Sequence, residues 1–326
     1  MRDLAALPKA HLHLHLEAAM SPATLQTLSA KYNREVPTTR GYGSFAAFSD
    51  LYVASTDVLR EPADWEFFAD QVFADHQREG AVRVECAFWA GNYRHLRPDE
   101  GTWEIVFAAC RSAAKRYGIS LGFIVAVDRV KDTPESAMVL AKFAAQAGDD
   151  VVGLGLHNDE VGHPPAPFAD AFAYARAAGL AAVPHAGELE SGQFVADSID
   201  QLGAIRIGHG VRSPEVDGLL DRLVNEGIHL EVCPTSNLML GVVPSYAEHP
   251  LPSLFAYGVR CSVNGDDPLL FGSTLLGEYE VCRREFGFTD SQLAQIARYS
   301  IEDSLASPQE KQQWLKRLTN WEDRPA

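Results

Sequence analysis

Residues 151–188 read VVGLGLHNDEVGHPPAPFADAFAYARAAGLAAVPHAGE, and they contain the repeating unit that decides the fold. Val151–Asn158 is apolar and β-branched and ends in a polar cluster, which is typical of a buried strand. Ala166–Ala178 has the composition of a helix and is followed by Gly179, a common helix terminator. Leu180–Glu188 then has the composition of another strand. A strand, a helix and a strand in this order predict a right-handed βαβ unit in a parallel sheet.

Strand-like stretches of this kind recur along the whole chain. The predicted strands are Ala10–Glu17, Ala81–Trp89, Ile119–Val127, Val151–Asn158, Leu180–Glu188, Ile205–Val211, His229–Cys233 and Arg260–Asn264. Helical stretches lie between most of them, such as Glu215–Glu226, which ends at Gly227. Eight such strands favour a closed α/β barrel, the (β/α)₈ TIM barrel, over an open doubly wound sheet. No Gly-x-Gly-x-x-Gly motif follows the first strand, which argues against a dinucleotide fold. We expect residues 1–326 to form one domain.

The gap between the first and second predicted strands is long, roughly from Met20 to Gly80. Its apolar residues suit helices that pack over the barrel mouth: Phe45, Phe48, Leu51, Tyr52, Val58 and Leu59. We expect this helical insertion to form part of a substrate pocket, and an ordinary peripheral pair of helices is the alternative. Thr289–Trp321 is predicted to form closing helices.

Composition limits the classes of function. The formal net charge is −16, so the surface repels phosphates and we expect no nucleic-acid partner. The cysteines show no Cys-x-x-Cys spacing, which indicates reduced thiols and an intracellular compartment: Cys86, Cys110, Cys233, Cys261 and Cys282. The sequence contains neither a signal-peptide pattern nor a run of ~20 apolar residues, so we expect a cytoplasmic protein without a membrane partner. The oligomeric state cannot be read from the sequence.

Side chains that bind metals occur where four of the predicted strands end, the face on which these barrels carry their active sites. The first strand contains His11, His13 and His15. Because alternate residues of a strand point to one face, His13 and His15 can bind the same ion. His11 lies lowest on the strand and is expected to be a neighbour of the site. A single strand histidine is more often a satisfied core residue, but three at alternate positions favour a metal site.

Three further motifs supply candidate residues. The fifth strand ends in VPHAGE with His185, Gly187 and Glu188, the sixth contains RIGHGV with His209, and the eighth contains CSVNGDDP with Asp266 and Asp267. Each motif is weak by itself, and an Asp-Asp-Pro is more often a turn or a helix cap. Together, three histidines and one aspartate suit a catalytic zinc ion, one Zn²⁺ per chain, with iron as an alternative. Such an ion lowers the pKa of a bound water, while His209 can take or orient its proton and Glu188 can protonate the substrate.

The ordered motifs HLHLHLE, HAGE, RIGHGV, CPTSNLML and SVNGDDPLLFGS resemble the adenosine deaminase family of the amidohydrolase superfamily, over essentially the whole chain. The resemblance implies four zinc ligands: His13, His15, His185 and Asp266. It also implies that Glu188 protonates purine N1, that His209 orients the attacking water and acts as a base, and that Asp267 contacts purine N7. The implied reaction is hydrolytic removal of the 6-amino group from an adenine-containing nucleoside.

Two departures from the family pattern affect substrate identity. The family often has His-Leu-Asp-Gly where this chain has His15-Leu16-Glu17-Ala18, at a position that meets the ribose. It often has Gly-Asp-Glu where this chain has Asn158-Asp159-Glu160, so Asn158 either reshapes the pocket or is only a turn residue. The resemblance gives Glu17, Asn158, Gly187 and Asp267 as substrate-binding residues. We rank adenosine and 6-aminodeoxyfutalosine, a menaquinone precursor, about level as substrates, and free adenine third.

Three alternatives compete with this interpretation: another amidohydrolase, a non-catalytic binding protein and a base-editing deaminase. The same site could serve another amidohydrolase that opens a cyclic amide or ester, but no lysine is placed as a bridging ligand at the end of the fourth strand. A binding protein that has lost catalysis should lack a ligand or Glu188, and none is missing. Base-editing zinc deaminases need His-x-Glu with Pro-Cys-x-x-Cys, and Cys233-Pro234 is not that motif.

Overall fold

The computed structural model describes residues 1–37, 42–93 and 101–324. Its strands are β1 (Lys9–His15), β2 (Ala81–Phe88), β3 (Ser120–Asp128), β4 (Val151–His157), β5 (Ala181–Ala182), β6 (His185–Ala186), β7 (Arg206–His209), β8 (His229–Val232) and β9 (Cys261–Val263). They form two parallel sheets, β1-β2-β3-β4-β5 and β6-β7-β8-β9, in chain order. Consecutive parallel strands joined by helices confirm the α/β class.

The two sheets are parts of one barrel. β5 and β6 divide the predicted strand Leu180–Glu188, and the break falls at Val183-Pro184, where proline removes a backbone donor. The hydrogen bond from Val183 N to Leu154 O (2.9 Å) and the one from Gly208 N to Pro184 O (2.9 Å) still link this segment to both neighbours. The fifth barrel strand is therefore continuous in position although its regular pairing is interrupted.

The other seam lies between the first and last strands. Leu14 forms a parallel bridge with Asp266, just beyond β9. His15 N donates to Asp266 O at 3.0 Å, and Asp266 N donates to His13 O at 3.2 Å. These bonds close the barrel next to two predicted metal ligands. The closed arrangement agrees with the predicted (β/α)₈ TIM barrel.

Helices cover the barrel. They are α1 (Pro22–Lys31), α2 (Phe45–Thr56), α3 (Pro62–Arg78), α4 (Gly101–Tyr117), α5 (Pro134–Ala144), α6 (Ala169–Ala177), α7 (Gln193–Asp197), α8 (Leu219–Glu226), α9 (Pro234–Met239), α10 (Leu251–Tyr257), α11 (Pro268–Phe271), α12 (Leu275–Arg284), α13 (Asp290–Glu302) and α14 (Pro308–Glu322). The insertion after β1 contains α1, α2 and α3, and the tail contains α13 and α14, as predicted. Helix α8 begins later than predicted because Gly218 has a left-handed φ of 76°.

The alternation of side chains along β2 shows how the barrel is filled. Val82, Val84 and Phe88 belong to the large apolar cluster between the sheet and the helices. Arg83 and Glu85, also buried, point the other way, into the barrel, where Glu85 contacts a third charged residue, Arg206. The barrel interior thus carries a layer of paired charges below the predicted site.

No helix among the described residues is long and apolar enough to span a bilayer. That the chain forms one domain stays a prediction.

Candidate metal centre and active site

A cavity opens where the strands end, with a volume of about 840 Å³ that includes its open mouth. Most of the predicted site residues line it: His15, Glu17, Asn158, His185, Glu188, His209, Asp266 and Asp267. Phe45, Phe48 and Tyr52 of α2 form part of its wall, so the insertion after β1 contributes to the pocket as expected. His13 lies deeper, along a small void inside the barrel. Gly187 does not line the cavity; its φ of 68° makes the turn that leads to Glu188.

The histidines of β1 do not all share one face. The pairing of β1 with β2 is irregular between His11 and Leu14. At this irregularity Asn264 Oδ1 accepts hydrogen bonds from both Leu12 N (2.8 Å) and His13 N (3.1 Å). His11 points away from the site, with Nδ1 2.9 Å from His76 Nε2. The predicted separation of His11 from the ligand histidines therefore has a physical basis, a break in the alternation of the strand.

Three of the predicted ligands meet at the barrel seam. Asp266 Oδ1 lies 3.2 Å from Nε2 of His13 and 3.2 Å from Nε2 of His15. Burial alone would raise the pKa of Asp266, but the two imidazoles beside its carboxylate hold that pKa well below its usual range. The ligand atoms of these three residues lie within 4.8 Å of one another, and His185 joins His13 and His209 in an overlapping group of the same size.

Close backbone approach from β7 positions two of these rings. A Cβ atom on Gly208 would lie 2.6 Å from Cδ2 of His185 and 2.8 Å from Cε1 of His13. Any larger residue at this position would push both imidazoles out of place. Gly208, the first glycine of RIGHGV, is therefore required by the packing of two predicted ligands.

The cluster fits a divalent cation. His13 Nε2 is buried and makes no hydrogen bond of good geometry, although a carboxylate oxygen is near. Burial lowers the pKa of His13, but the carboxylates of Asp266 and Glu231 outweigh it and raise the pKa to about 9. The raised pKa shows that the two carboxylates stabilise positive charge on the imidazole between them. A bound metal ion can supply that positive charge in place of the proton. Imidazole and carboxylate are ligands that zinc accepts.

Glu188 and His209 face each other beside this cluster. His209 Nε2 lies 3.4 Å from Glu188 Oε2, and Asn237 Nδ2 donates to Glu188 Oε1 at 3.3 Å. Burial, reinforced by the charges of Asp266 and Glu160, raises the pKa of Glu188 well above its usual range. Burial lowers the pKa of His209 to about 3. These shifts favour the protonated form of the carboxyl and the neutral form of the imidazole.

The direction of the His209 ring depends on its backbone. Regular alternation along β7 would place His209 on the same side as Ile207, which packs in the apolar cluster outside the barrel. Instead His209 has a left-handed φ of 63°, and its ring lies 4.7 Å from that of His13. The left-handed conformation turns the imidazole towards the cavity.

Two further carboxyl groups lie in the cavity. Asp267 is buried, and its Oδ1 has no hydrogen-bond partner within the described part of the chain. Burial raises the pKa of Asp267 well above its usual range, a shift that His15 opposes and that Asp266 increases. Burial also raises the pKa of Glu17, to about 7. Both groups can therefore hold a proton in the folded protein and donate a hydrogen bond.

The turn after β4 supports the site from the side. Asn158 has a φ of 79°, a conformation that glycine and asparagine tolerate best. Its Nδ2 donates to both carboxylate oxygens of Asp128 at 2.9 Å, so the side chain is held at the cavity wall. Glu160 accepts hydrogen bonds from the backbone N–H groups of Glu188 (3.3 Å) and Glu190 (2.9 Å), which fixes the turn that carries Glu188.

This geometry can be compared with known proteins. A family model described as adenosine deaminase matches residues 8–321, nearly the whole chain. The chain belongs to the adenosine deaminase family. Members of this family act as deaminases, and the chain is accordingly a hydrolase that acts on carbon–nitrogen bonds.

Individual relatives match this adenosine deaminase family member along nearly their whole length. The chain is 38% identical to a putative adenosine/adenine deaminase from Streptomyces virginiae, with 98% of each chain covered. It superposes on an adenine deaminase from Arthrobacter aurescens with a TM-score of 0.90, at 30% identity and with 98% and 100% of the two chains covered. It shares the fold of an amidohydrolase from Burkholderia ambifaria that contains bound Zn, with a TM-score of 0.85, 24% identity and 98% and 93% coverage.

Several residues of the site were not singled out from the sequence. Asn237 contacts both Glu188 and His209, and it lies within CPTSNLML, a motif used only for the family resemblance. Glu231 contacts His13, and a carboxylate inside a predicted apolar strand is the signal that could have found it. His157 ends β4 beside the ligand histidines, at the position where polar residues end the other site-forming strands.

Proposed function

We propose that the protein is a zinc-dependent deaminase that removes the 6-amino group of adenosine by hydrolysis, giving inosine and ammonia. The observation that supports it most is the pairing of Glu188 with His209 at 3.4 Å, in a cavity shared with a histidine–aspartate cluster. Hydrolysis at a ring carbon needs a proton donor for the ring and an acceptor for the proton of water. The raised pKa of Glu188 favours a donor, and the lowered pKa of His209 favours an acceptor.

The metal would be held by His13, His15, His185 and Asp266. A bound zinc ion supplies Lewis acidity and makes a nucleophile available near neutral pH. The Burkholderia ambifaria relative holds Zn, which supports the choice of ion. Glu231, which contacts His13 Nδ1 at 3.3 Å, leaves Nε2 of that ring free for coordination.

The remaining groups act on the purine and the water. Glu188, whose raised pKa favours the protonated form, donates its proton to N1, and C6 becomes more electrophilic. His209, neutral in the folded protein, accepts a proton from the attacking water and passes it to the amino group, which leaves as ammonia when the C6–N6 bond breaks. The proton of the new C6 hydroxyl returns to Glu188 as the 6-oxo group forms. Asp267 contacts N7, and because N7 is an acceptor, this contact requires the protonated carboxyl that its raised pKa favours.

The cavity extends beyond the purine-reading groups, which supports a nucleoside. It is also lined by α2, which includes Ser49, by the polar residues Asn92 and Lys131, and by the buried Glu17. Free adenine is the second candidate, because the relative from Arthrobacter aurescens is named an adenine deaminase. 6-Aminodeoxyfutalosine carries the same purine ring and stays a prediction.

The test is ammonia release by the zinc-loaded protein with adenosine, adenine and 6-aminodeoxyfutalosine in parallel. We expect a kcat/KM in the range of ~10⁴–10⁸ M⁻¹s⁻¹ for adenosine. A higher value for one of the other two compounds would replace adenosine as the substrate and leave the reaction unchanged. No release from any of them by protein with a full complement of zinc would overturn the proposal. Asp266→Ala should lose the zinc, and full occupancy in that variant would contradict the ligand assignment.

A further inference from the structure

His157 is a buried imidazole without an assigned partner at the centre of the site. It ends β4, and only 9% of its surface is exposed. Neither Nδ1 nor Nε2 has a hydrogen-bond partner among the described residues. Buried polar groups are nearly always paired, and an imidazole with two unpaired nitrogens indicates a missing ligand, such as an ion or a water.

The barrel makes room for this ring. A Cβ atom on Gly155, two residues earlier on the same face of β4, would lie 2.1 Å from Nε2 of His157. Only glycine leaves the space that the imidazole occupies. The ring is therefore accommodated inside the barrel by a local sequence feature, and it does not extend freely into the mouth of the cavity.

The neighbours of the ring are the predicted metal ligands. The His157 ring centroid lies 4.1 Å from that of His185 and 5.1 Å from that of His15. The ligand atoms of these three histidines all lie within 4.8 Å of one another, the same spread as in the group of His13, His15 and Asp266. Three imidazoles this close are compatible with a shared cation that accepts a nitrogen from each.

We propose that His157 is a direct ligand of the metal ion, in addition to His13, His15, His185 and Asp266. The inference rests on the metal site of the proposed function, and it adds a donor from β4 to the donors from β1, the fifth barrel strand and the segment after β9. Hydrogen bonds to residues 1–37, 42–93 and 101–324 do not account for the ring, because neither nitrogen has a partner there.

A fifth protein ligand changes the chemistry of the ion. Catalytic zinc is usually held by three protein ligands and one open position, and it expands to five-coordinate only in some states. Four imidazoles, one carboxylate and a water give a coordination number of six, which suits ions such as iron or cobalt as well as zinc. The site is accordingly expected to bind Co²⁺ in a five- or six-coordinate form.

The experiment is cobalt substitution, which has a readout independent of deaminase activity. Metal-free protein is loaded with Co²⁺, and the visible absorption and the chelator-competition affinity are measured for the wild type, His157→Ala and His163→Ala. His163 follows on the same loop but belongs to none of the histidine clusters, and it serves as the matched control. We expect a weak, six-coordinate-type visible band in the wild type and in H163A, and a stronger, five-coordinate-type band in H157A, which keeps three imidazoles, one carboxylate and the water. The Co²⁺ affinity of H157A should fall by more than ~10–100-fold, the loss that is typical when a residue hydrogen-bonded to a metal ligand is removed.

A second measurement needs no variant. In the proton NMR spectrum of the Co²⁺ wild type, each coordinated imidazole contributes one strongly shifted, exchangeable N–H signal. Four such signals support coordination by His157, and three signals overturn it, as does an H157A spectrum identical to that of the wild type. If H157A does not fold, the wild-type count decides. Failure of the deaminase assay with four signals present would overturn the proposed substrate and leave the ligand set intact.

Discussion

Glu231 Oε2 lies 3.3 Å from Nδ1 of His13, on the side of the ring opposite to Nε2. The other oxygen of Glu231 lies 2.7 Å from Arg206 Nε, and Arg206 Nη1 lies 2.6 Å from Glu85 Oε2. All four side chains are buried. A carboxylate on the remote nitrogen fixes the tautomer and the orientation of a metal-binding histidine. The paired charges inside the barrel therefore orient a ligand at its mouth.

Replacing Glu231 with glutamine tests this connection. Glu231→Gln keeps the shape but removes the charge, so His13 is held less firmly and Arg206 keeps only Glu85. We expect a metal affinity that is ~10–100-fold lower, measured by competition with a chromophoric chelator. Glu226→Gln changes an exposed glutamate of α8 and should leave the affinity unchanged. Equal affinities in all three proteins would contradict the positioning role.

Glu188→Gln removes the proposed proton donor without changing its size. We expect kcat/KM to fall by ~10²–10⁴-fold. Because burial raises the folded-state pKa of Glu188, the wild type keeps the donor proton to a higher pH than a free glutamate does, and it loses activity as pH rises through that pKa. The glutamine variant should lack this limb of the pH–rate profile. Glu190→Gln, two residues further along the same turn, is the control, and an E188Q enzyme with wild-type activity would exclude the acid role.

Gly208→Ala tests the close packing against two predicted ligands. The new Cβ would lie 2.6 Å from His185 and 2.8 Å from His13, so the rings or the strand must shift. We expect a loss of stability of about 1–3 kcal/mol, typical of overpacking, together with reduced zinc occupancy by elemental analysis. Gly277→Ala in α12, where the nearest atom is 3.3 Å away, should retain zinc. Full zinc occupancy in G208A would show that the packing is looser than the structure indicates.

Asp303→Asn tests the opposite end of the barrel. Asp303 contacts His229 Nδ1 and Arg260 Nε, each at 2.7 Å, and these partners outweigh burial and lower its pKa to about 2. A carboxyl with a depressed pKa stabilises the fold above its unfolded-state pKa, and this stability is lost as pH falls through the folded-state value. We expect D303N to be less stable by roughly 2 kcal/mol at pH 7 in urea denaturation.

The difference between D303N and the wild type should shrink as the pH approaches that folded-state pKa. Exposed Asp217→Asn is the comparison, with no expected change. If the difference in unfolding free energy between D303N and the wild type stays constant down to acid pH, the charge of Asp303 does not contribute to stability.

Much of the fold follows from local patterns. The predicted strands coincide with the observed ones within a few residues, because buried parallel strands are short apolar runs ended by polar clusters. The break between Ala182 and His185 and the irregular register near Leu12 were not predicted. The break falls at Pro184, a local feature whose effect on the pairing was overlooked. The irregular register depends on a distant segment, because Asn264 contacts the backbone of β1 and no local window contains both.

Site residues could be predicted where the residue type itself implies a chemical role. They could not be predicted where three-dimensional packing determines the orientation or the environment of a side chain. His13, His15, His185 and Asp266 lie together, as their positions on the strands predict. The sequence gives no sign that His209 needs a left-handed backbone to face the cavity. Nor does it show that the His157 ring lies beside the ligand histidines in the space left by Gly155, without a hydrogen-bond partner among the described residues.

His209 and Asp266 both have left-handed backbones, with φ values of 63° and 59°. Residues other than glycine usually avoid this region, at a conformational penalty of roughly 1–3 kcal/mol each when the surroundings enforce it. Glycine at either position would relieve the strain and remove an imidazole or a carboxylate that the reaction needs. If variants of this barrel were selected for thermal stability alone, we expect glycine to be enriched at these two positions. The selected proteins should be more stable but catalytically inactive.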